Sequence, residues 1–384
     1  MRKTALWRRG CVLLLASLPG FCAASGGPGT TAANFLSLNV APRPAGLGEA
    51  FTGLADDVSA IMYNPAGLAW LDRQELSLVH HEFFQGAHQE WGAYAYPTVR
   101  GTFAGSFNML FIDAFESFSA EDQPIGKKGA LDAAFSGAYA LQVTDWFSVG
   151  GTGKFISSRL DDRRAAAVAA DGGFLIRATE WFSAGASVFN VGTRMKFVGE
   201  AFDLPATARV GFAVKPLRRL HNDYEEWGDE FTIVADGVFP RAGSAYVAGG
   251  VEHISSNFMA LRAGGTMGRD TGPGYSAGMG LYINRNNPDR PQFSFDYAFV
   301  DSGELNFQHR AGITLRFGAS RSRGISERSF WRRVETDIPQ RDPESMRPQL
   351  ETSQPEPEPV KPIRRKQRAL PPLEPLLERK GVLR

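Results

Sequence analysis

The sequence predicts an all-β protein, a fourteen-stranded antiparallel transmembrane β-barrel followed by a largely disordered C-terminal tail. Three observations carry this. Residues 74–317 break into short alternating segments separated by turn signals, and an export signal precedes them. No stretch after that signal approaches the roughly 18 apolar residues of a spanning helix. A chain that crosses lipid without helices must close its strands into a barrel, because only then is every backbone group satisfied.

Arg2, Lys3, Arg8 and Arg9 form a basic start, Cys11 to Phe21 a short apolar stretch, and Cys22-Ala23-Ala24-Ser25 a small-residue cleavage zone. Residues 1–24 therefore read as a signal peptide, its apolar run too short to span a bilayer. Cys22 as a lipidation site is the weaker alternative, since bulky Phe21 precedes it. Both cysteines fall in this signal, so the mature chain has no disulfide framework and no Cys-based metal or nucleophile chemistry. The net charge of +1 gives no global electrostatic argument for a nucleic-acid partner.

Residues 25–73 come next, with a Gly/Pro/Thr leader to about Thr31, then small residues and a helix-compatible stretch. Within it, Pro65 blocks a regular helix at Asn64, Gly67 permits a sharp reversal, and the Asn64 side chain can close the turn.

The fourteen strands are expected at about 74–84, 88–97, 101–112, 127–142, 146–158, 166–178, 181–191, 206–215, 229–238, 244–253, 257–267, 274–284, 291–300 and 306–317. An even number returns the chain to the side it started from. In the last, Ala311, Ile313, Leu315 and Phe317 share one face, suited to hydrocarbon, and Arg310, Gly312, Thr314 and Arg316 share the other, suited to water. Phe317 closes the final strand. Phe293, Phe295, Tyr297 and Phe299 make an aromatic face for lipid contact. Thr144-Asp145-Trp146-Phe147-Ser148 is echoed by Thr179-Glu180-Trp181-Phe182-Ser183, and more faintly around Asn257-Phe258. Each copy marks a tight turn, an aromatic at the water–lipid boundary and a rising strand. These short turns would lie on the periplasmic side, and the longer segments Phe111–Lys127 and Arg194–Pro205 would face outward.

Residues 318–384 are rich in Pro, Arg and Glu and are expected to form an extended periplasmic tail. Two readings stand for it: a solvated spacer, or a peptide that docks on a periplasmic or secretion-system protein through Leu373, Leu376 and Leu377 beside the basic run Arg364, Arg365, Lys366 and Arg368.

Nothing in the chain makes a recognisable catalytic, cofactor or metal site. Adjacent Asp56 and Asp57 do not share a face, so helix capping or ion pairing is expected of them rather than acid–base catalysis. His80 and Glu82 share a strand face with His88 across the first hairpin, weak grounds for a metal. Gly150-Gly151-Thr152-Gly153-Lys154 lacks the spacing of a phosphate loop, and neither His253 nor His309 has a defensible Ser partner.

The specific part of the chain is Ala41-Pro42-Arg43-Pro44-Ala45-Gly46-Leu47-Gly48-Glu49-Ala50-Phe51, then Ala55-Asp56-Asp57, then Tyr63-Asn64-Pro65-Ala66-Gly67-Leu68. It resembles the N-terminal signature of PorV/PorQ-type proteins, a branch of the FadL-like outer-membrane barrels. The resemblance implies an outer-membrane barrel, inserted by the barrel assembly machinery and surrounded by outer-membrane lipid. It also implies an N-terminal hatch over residues 25–73, with Gly46, Gly48, Asp56, Asp57, Asn64, Pro65, Ala66 and Gly67 as its motif. Two functions follow from the resemblance: passive uptake of hydrophobic small molecules such as long-chain fatty acids, or the binding of exported cargo in a type IX-like secretion system.

Overall fold

The computed structural model describes residues 27, 29–38, 40–83, 86–118, 122–217, 229–287, 289–301 and 307–320. The expected signal peptide and the tail beyond Ser320 lie outside them. The strands are β1 (Gln74–Glu82), β2 (Ala87–Thr98), β3 (Gly101–Phe118), β4 (Pro124–Thr144), β5 (Phe147–Leu160), β6 (Arg163–Thr179), β7 (Phe182–Gly192), β8 (Met195–Lys196), β9 (Ala201–Phe202), β10 (Thr207–Val214), β11 (Glu230–Pro240), β12 (Tyr246–Ser255), β13 (Met259–Met267), β14 (Gly274–Ile283), β15 (Gln292–Asp301) and β16 (Phe307–Phe317).

Fourteen of them form a closed antiparallel barrel in which each strand pairs with its neighbour in sequence, β7 passing directly to β10. The seam is β1 against β16, paired at nine positions from Gln74 opposite Phe317 to Glu82 opposite His309. Strand alternation decides what faces where. Along β1, Glu75, Ser77, Val79 and His81 are buried while Leu76 and Leu78 are exposed on the outer wall. A period of two thus puts the apolar set outside and a mixed polar set inside.

One expectation about the connections is corrected. The segment 111–127 is not a long loop: the β3–β4 ladder runs on through Glu116 opposite Lys127, with a register shift between Ile112 and Phe115. A bulge absorbs one extra residue without ending the pairing, so the hairpin extends instead of opening. The segment 194–205 carries the small β8–β9 hairpin. The echoed turns share one further bond, at the end of the barrel where β1 begins. The carbonyls of Trp146, Trp181 and Phe258 accept N–H groups from Arg177, Lys215 and Tyr282, at 2.8, 2.8 and 2.7 Å.

The chain before β1 fills the barrel. Its helix-compatible stretch yields one short α-helix, α1 (Pro42–Gly46), and 3-10 turns at Asn34–Ser37, Val58–Met62 and Pro65–Trp70. Pro42 starts α1 and Pro65 starts the third 3-10 turn, but proline cannot propagate either. Asp57 caps the second turn by accepting from Ser59 N at 2.9 Å, and Asn64 caps the third by accepting from Ala66 N at 3.2 Å. The plug buries Leu47, Phe51, Ile61, Tyr63 and Leu68 to 2% exposure or less. Each such side chain contributes about 1.5–3 kcal/mol relative to exposure.

This segment runs the full height of the lumen. Ala32 N donates to Asp203 O (2.9 Å) in the connection between β9 and β10, at the end opposite the echoed turns. At the other end, Arg73 donates to Gly318 O (3.1 Å) and Arg290 O (3.0 Å), just before β1 starts. Between these points the plug touches the wall through backbone on both sides. A Cβ on Gly46 would lie 3.1 Å from Gly278 Cα, and one on Gly250 would lie 2.7 Å from Leu47 Cα. A Cβ on Gly150 would strike Pro65, and one on Gly264 would strike Gly48 N. Glycine on the wall lets plug backbone and strand backbone come together without intervening side chains.

Candidate functional site

Ion pairs and hydrogen bonds from around the circumference tie the plug to the wall. Arg43 in α1 reaches Asp56 (2.6 Å), Asp57 (2.8 Å) and Glu252 on β12 (2.9 Å). Glu252 also accepts Arg262 Nε (2.7 Å) on β13, and Arg262 reaches Asp296 on β15 (2.7 Å) and the Tyr282 hydroxyl on β14 (2.7 Å). Asp236 on β11 accepts the backbone N–H groups of Phe51 (3.0 Å) and Thr52 (2.9 Å). Ser183 and Ser187 on β7 donate to the plug carbonyls of Gly53 (2.6 Å) and Tyr63 (2.7 Å). On β1, Glu75 accepts Val58 N (2.8 Å) while paired with Arg316 (2.8 Å).

Burial pushes the Asp56 carboxyl up, but the nearby Arg43 and Lys215 cations outweigh it and hold the group far below the ordinary carboxylate range. Buried charges persist only when paired and hydrogen-bonded: Arg43 meets three carboxylates, with Arg262 shared at Glu252 and Lys215 at Asp56.

The inward faces therefore do not line an open water channel, as the alternation alone would allow. Arg310 and Arg316, read as water-facing, are both spent on carboxylates inside the barrel.

The motif residues lie together in the plug. Gly48 has φ +65°, and a Cβ there would be 2.5 Å from Gly265 backbone. Asn64 is fully buried, and its amide donates to Thr52 O (3.0 Å) in the plug and Phe174 O (2.9 Å) in β6. Pro65 and Ala66 open the third turn, and the Ala66 carbonyl accepts the Ser148 hydroxyl at 2.9 Å. A Cβ on Gly67 would collide with the Ala55 carbonyl, so this position packs plug against plug. Phe317 sits apart, in the first pair of the seam opposite Gln74, its ring stacked at 6.4 Å on Tyr94. His80 contacts Glu82 (3.1 Å) and Glu90 (2.7 Å) on the outer wall, away from the lumen.

Above the plug lies a cavity of about 390 Å³. Leu36 and Leu38 border it from the N-terminal strap, Ile61 and Met62 from the plug, Trp91 and Val238 from the wall. Glu49 also lines it, with Arg209, Arg269 and Arg310. Of these, only Glu49 and Arg310 belong to stretches the sequence singled out. The signal for the wall partners was nevertheless there: Arg209, Asp236, Glu252, Arg262 and Asp296 are charges at inward positions of strands, where charge at membrane depth implies a partner.

Fold and lumen together define a closed fourteen-strand barrel whose lumen holds the segment before β1, with a partly open cavity at one end. Residues 22–159 match the family model UPF0164, described as an uncharacterised protein family. A UPF0164 protein of Treponema pallidum (strain Nichols) is 42% identical over 60 residues, 16% of this chain and 14% of that protein's length. Among solved structures, the Pseudomonas putida toluene transporter TodX aligns with a TM-score of 0.50 at 11% identity, over 77% of this chain and 99% of TodX. The CymD monoaromatic hydrocarbon channel aligns with a TM-score of 0.50 at 11% identity, over 74% of this chain and 99% of CymD. At that identity the likeness is one of fold.

Proposed function

We propose that this protein is an outer-membrane channel for passive uptake of hydrophobic small molecules, long-chain fatty acids among them. The observation that carries the reading is the cavity above the plug, about 390 Å³ and bordered by Leu36, Leu38, Ile61, Met62 and Trp91. Its size suits a small ligand and not a folded cargo protein. That favours uptake over the secretion role that the motif resemblance also implies. The named substrates of TodX and CymD, toluene and monoaromatic hydrocarbons, belong to the same broad ligand class.

In this reading the barrel end carrying the β8–β9 hairpin faces outward, and the ligand enters the cavity from there. Burial supplies the affinity, at about 0.8 kcal/mol per methylene. Release to the other side requires the plug to shift, because its contacts extend around the wall.

The test is binding by the purified full-length protein in detergent. A long-chain fatty acid and a monoaromatic hydrocarbon are titrated while the fluorescence of Trp91 is followed against a Trp91→Phe control. Saturable quenching lost in the control is expected. No saturable binding of either compound would overturn the reading.

A further inference from the structure

The outer wall over β5 and β6 ends in two arginines set against each other. Arg159 and Arg164 are direct partners in the β5–β6 ladder, beyond the pairs Ser157–Ala166 and Phe155–Val168. The alternate residues Ile156, Ser158, Ala165 and Ala167 are buried on the lumen side, so both guanidinium groups belong to the outward face. Like charges directly opposite one another destabilise a strand pair. Among the described residues no carboxylate offsets them. Arg159 Nε donates to the Asp161 carbonyl (3.2 Å), the Asp161 carboxylate is held by Lys128 (3.3 Å), and neither arginine forms an ion pair. The other acids of these hairpin ends, Glu116 and Asp162, are matched in number by Lys127 and Arg163, which leaves the two outward arginines in excess.

The level of the pair follows from the strand. Arg159 stands twelve positions along β5 from Phe147, beside the boundary residue Trp146. At about 3.3 Å per residue and a tilt near 40°, that is about 30 Å of height, against an apolar band of about 25 Å. With the β8–β9 end outward, the pair lies level with the headgroups of the outer leaflet.

Below it the wall suits a hydrocarbon chain. Phe135, Phe155 and Val168 lie side by side on β4, β5 and β6, each about half exposed. Beneath this row the backbone is bare, with Gly137 opposite Gly153. A Cβ on either glycine would have no atom within 4 Å, and the same holds for Gly172 on β6.

We propose that Arg159 and Arg164 hold the phosphate of one anionic lipid of the outer leaflet, with an acyl chain running past Phe155 and Val168 into the recess at Gly153. Guanidinium forks match phosphate oxygens, and two forks on facing strands can share one phosphate between them. The small residues Ser157 and Ala166 leave room for the glycerol region between headgroup and chain. The bound anion removes the repulsion that the ladder builds in. The proposal shares with the uptake reading only the placement in an outer membrane and its orientation, and needs no ligand in the lumen.

The experiment is native mass spectrometry of the full-length protein in detergent, titrated with phosphatidylglycerol or with phosphatidylcholine of the same chains. Wild type should retain one phosphatidylglycerol in preference to phosphatidylcholine. Arg159→Gln combined with Arg164→Gln should weaken phosphatidylglycerol by about tenfold and leave phosphatidylcholine unchanged. Arg194→Gln, at an exposed rim arginine paired with Asp203 (3.4 Å), should change neither. Gly153→Leu keeps both arginines and fills the recess, so it should also weaken phosphatidylglycerol and supplies a second reading if the double variant does not fold. Glycerol 3-phosphate, the headgroup without chains, should not compete. Equal retention of the two lipids by wild type, or an unaltered preference in the double variant, overturns the site. A loss in Arg194→Gln as large as in the double variant shows diffuse attraction to the rim and overturns it as well. Unchanged binding in Gly153→Leu, or competition by glycerol 3-phosphate, overturns the lipid as occupant. None of these results bears on binding in the lumen, which the fluorescence titration tests separately.

Discussion

Arg43 of the plug grips Glu252 of the wall with two parallel bonds, Nε to Oε1 and Nη2 to Oε2, each 2.9 Å long. A bidentate pair fixes orientation as well as distance, which a single ammonium cannot do. The same guanidinium holds Asp56 and Asp57, so α1, the second 3-10 turn and β12 are fixed relative to one another through one side chain.

Arg43→Met should therefore leave Asp57 without its cation, and Glu252 and Asp56 with only Arg262 and Lys215, at a cost of roughly 3–5 kcal/mol. Arg43→Lys should recover only part of it, lacking the fork. The temperature at which the folded form is lost on semi-native gels should fall in the order wild type, Lys, Met. Coincident transitions for all three would show that the pair contributes nothing.

Gly150 and Gly153 lie on one strand with opposite requirements. A Cβ on Gly150 would strike Pro65, whereas one on Gly153 has nothing within 4 Å. Gly150→Ala is expected to unseat the third turn and raise protease sensitivity between residues 60 and 70. Gly153→Ala should be indistinguishable from wild type by limited proteolysis. Equal behaviour of the two variants would mean that plug and wall do not approach as closely as the structure has them.

Asn64→Ala combined with Pro65→Ala removes a cap and two amide bonds to carbonyls, one of them in β6. Losing buried partners of this kind costs about 1–3 kcal/mol. The ladder of fourteen strands does not depend on these bonds, so far-ultraviolet circular dichroism should still report β structure. Ligand binding should change. A double variant with wild-type affinity would exclude the Asn-Pro-Ala turn from ligand handling.

Truncation before Gln308 deletes nearly all of the strand that pairs with β1, and the barrel should no longer form. Phe317→Ala removes one outer pair partner and the stack on Tyr94, and should only lower the folded yield. Deleting residues 330–384 should leave the yield unchanged, since the fourteen strands of the closed barrel all lie between Gln74 and Phe317. Loss of folded protein on that deletion would place part of the barrel in the tail.

The strands were legible because their periodicity is local. Each needs only its own parity, as in Leu76 and Leu78 against Glu75 and Ser77, and all fourteen expected segments are strands. The β3–β4 extension was not legible: Asp113, Glu116, Glu121 and Asp122 have the composition of a loop, and only the facing strand shows that pairing continues. The motif residues fall together in the segment before β1, but the ties of that segment to the wall were not legible. Arg43 and Glu252 are 209 positions apart, and an inward Glu on a strand reads the same whether water or an arginine faces it. Which of the two applies is settled by the three-dimensional register, a property no single segment contains.

The bare glycines at 150, 250, 264 and 278 also bear on the order in which the molecule is made. A plug that meets strand backbone directly on several sides, and carries ionised groups at those contacts, has no clearance to slide into a finished cylinder. Its chain enters beside Asp203 at one rim and leaves beside Gly318 at the other, threaded through the whole lumen. The expected outcome is a cylinder wound about its contents, with the meeting of β1 and β16 as the last step. A barrel expressed without residues 25–73 and offered that segment separately should remain unfilled, which makes the N-terminal segment a mandrel for assembly as much as a stopper.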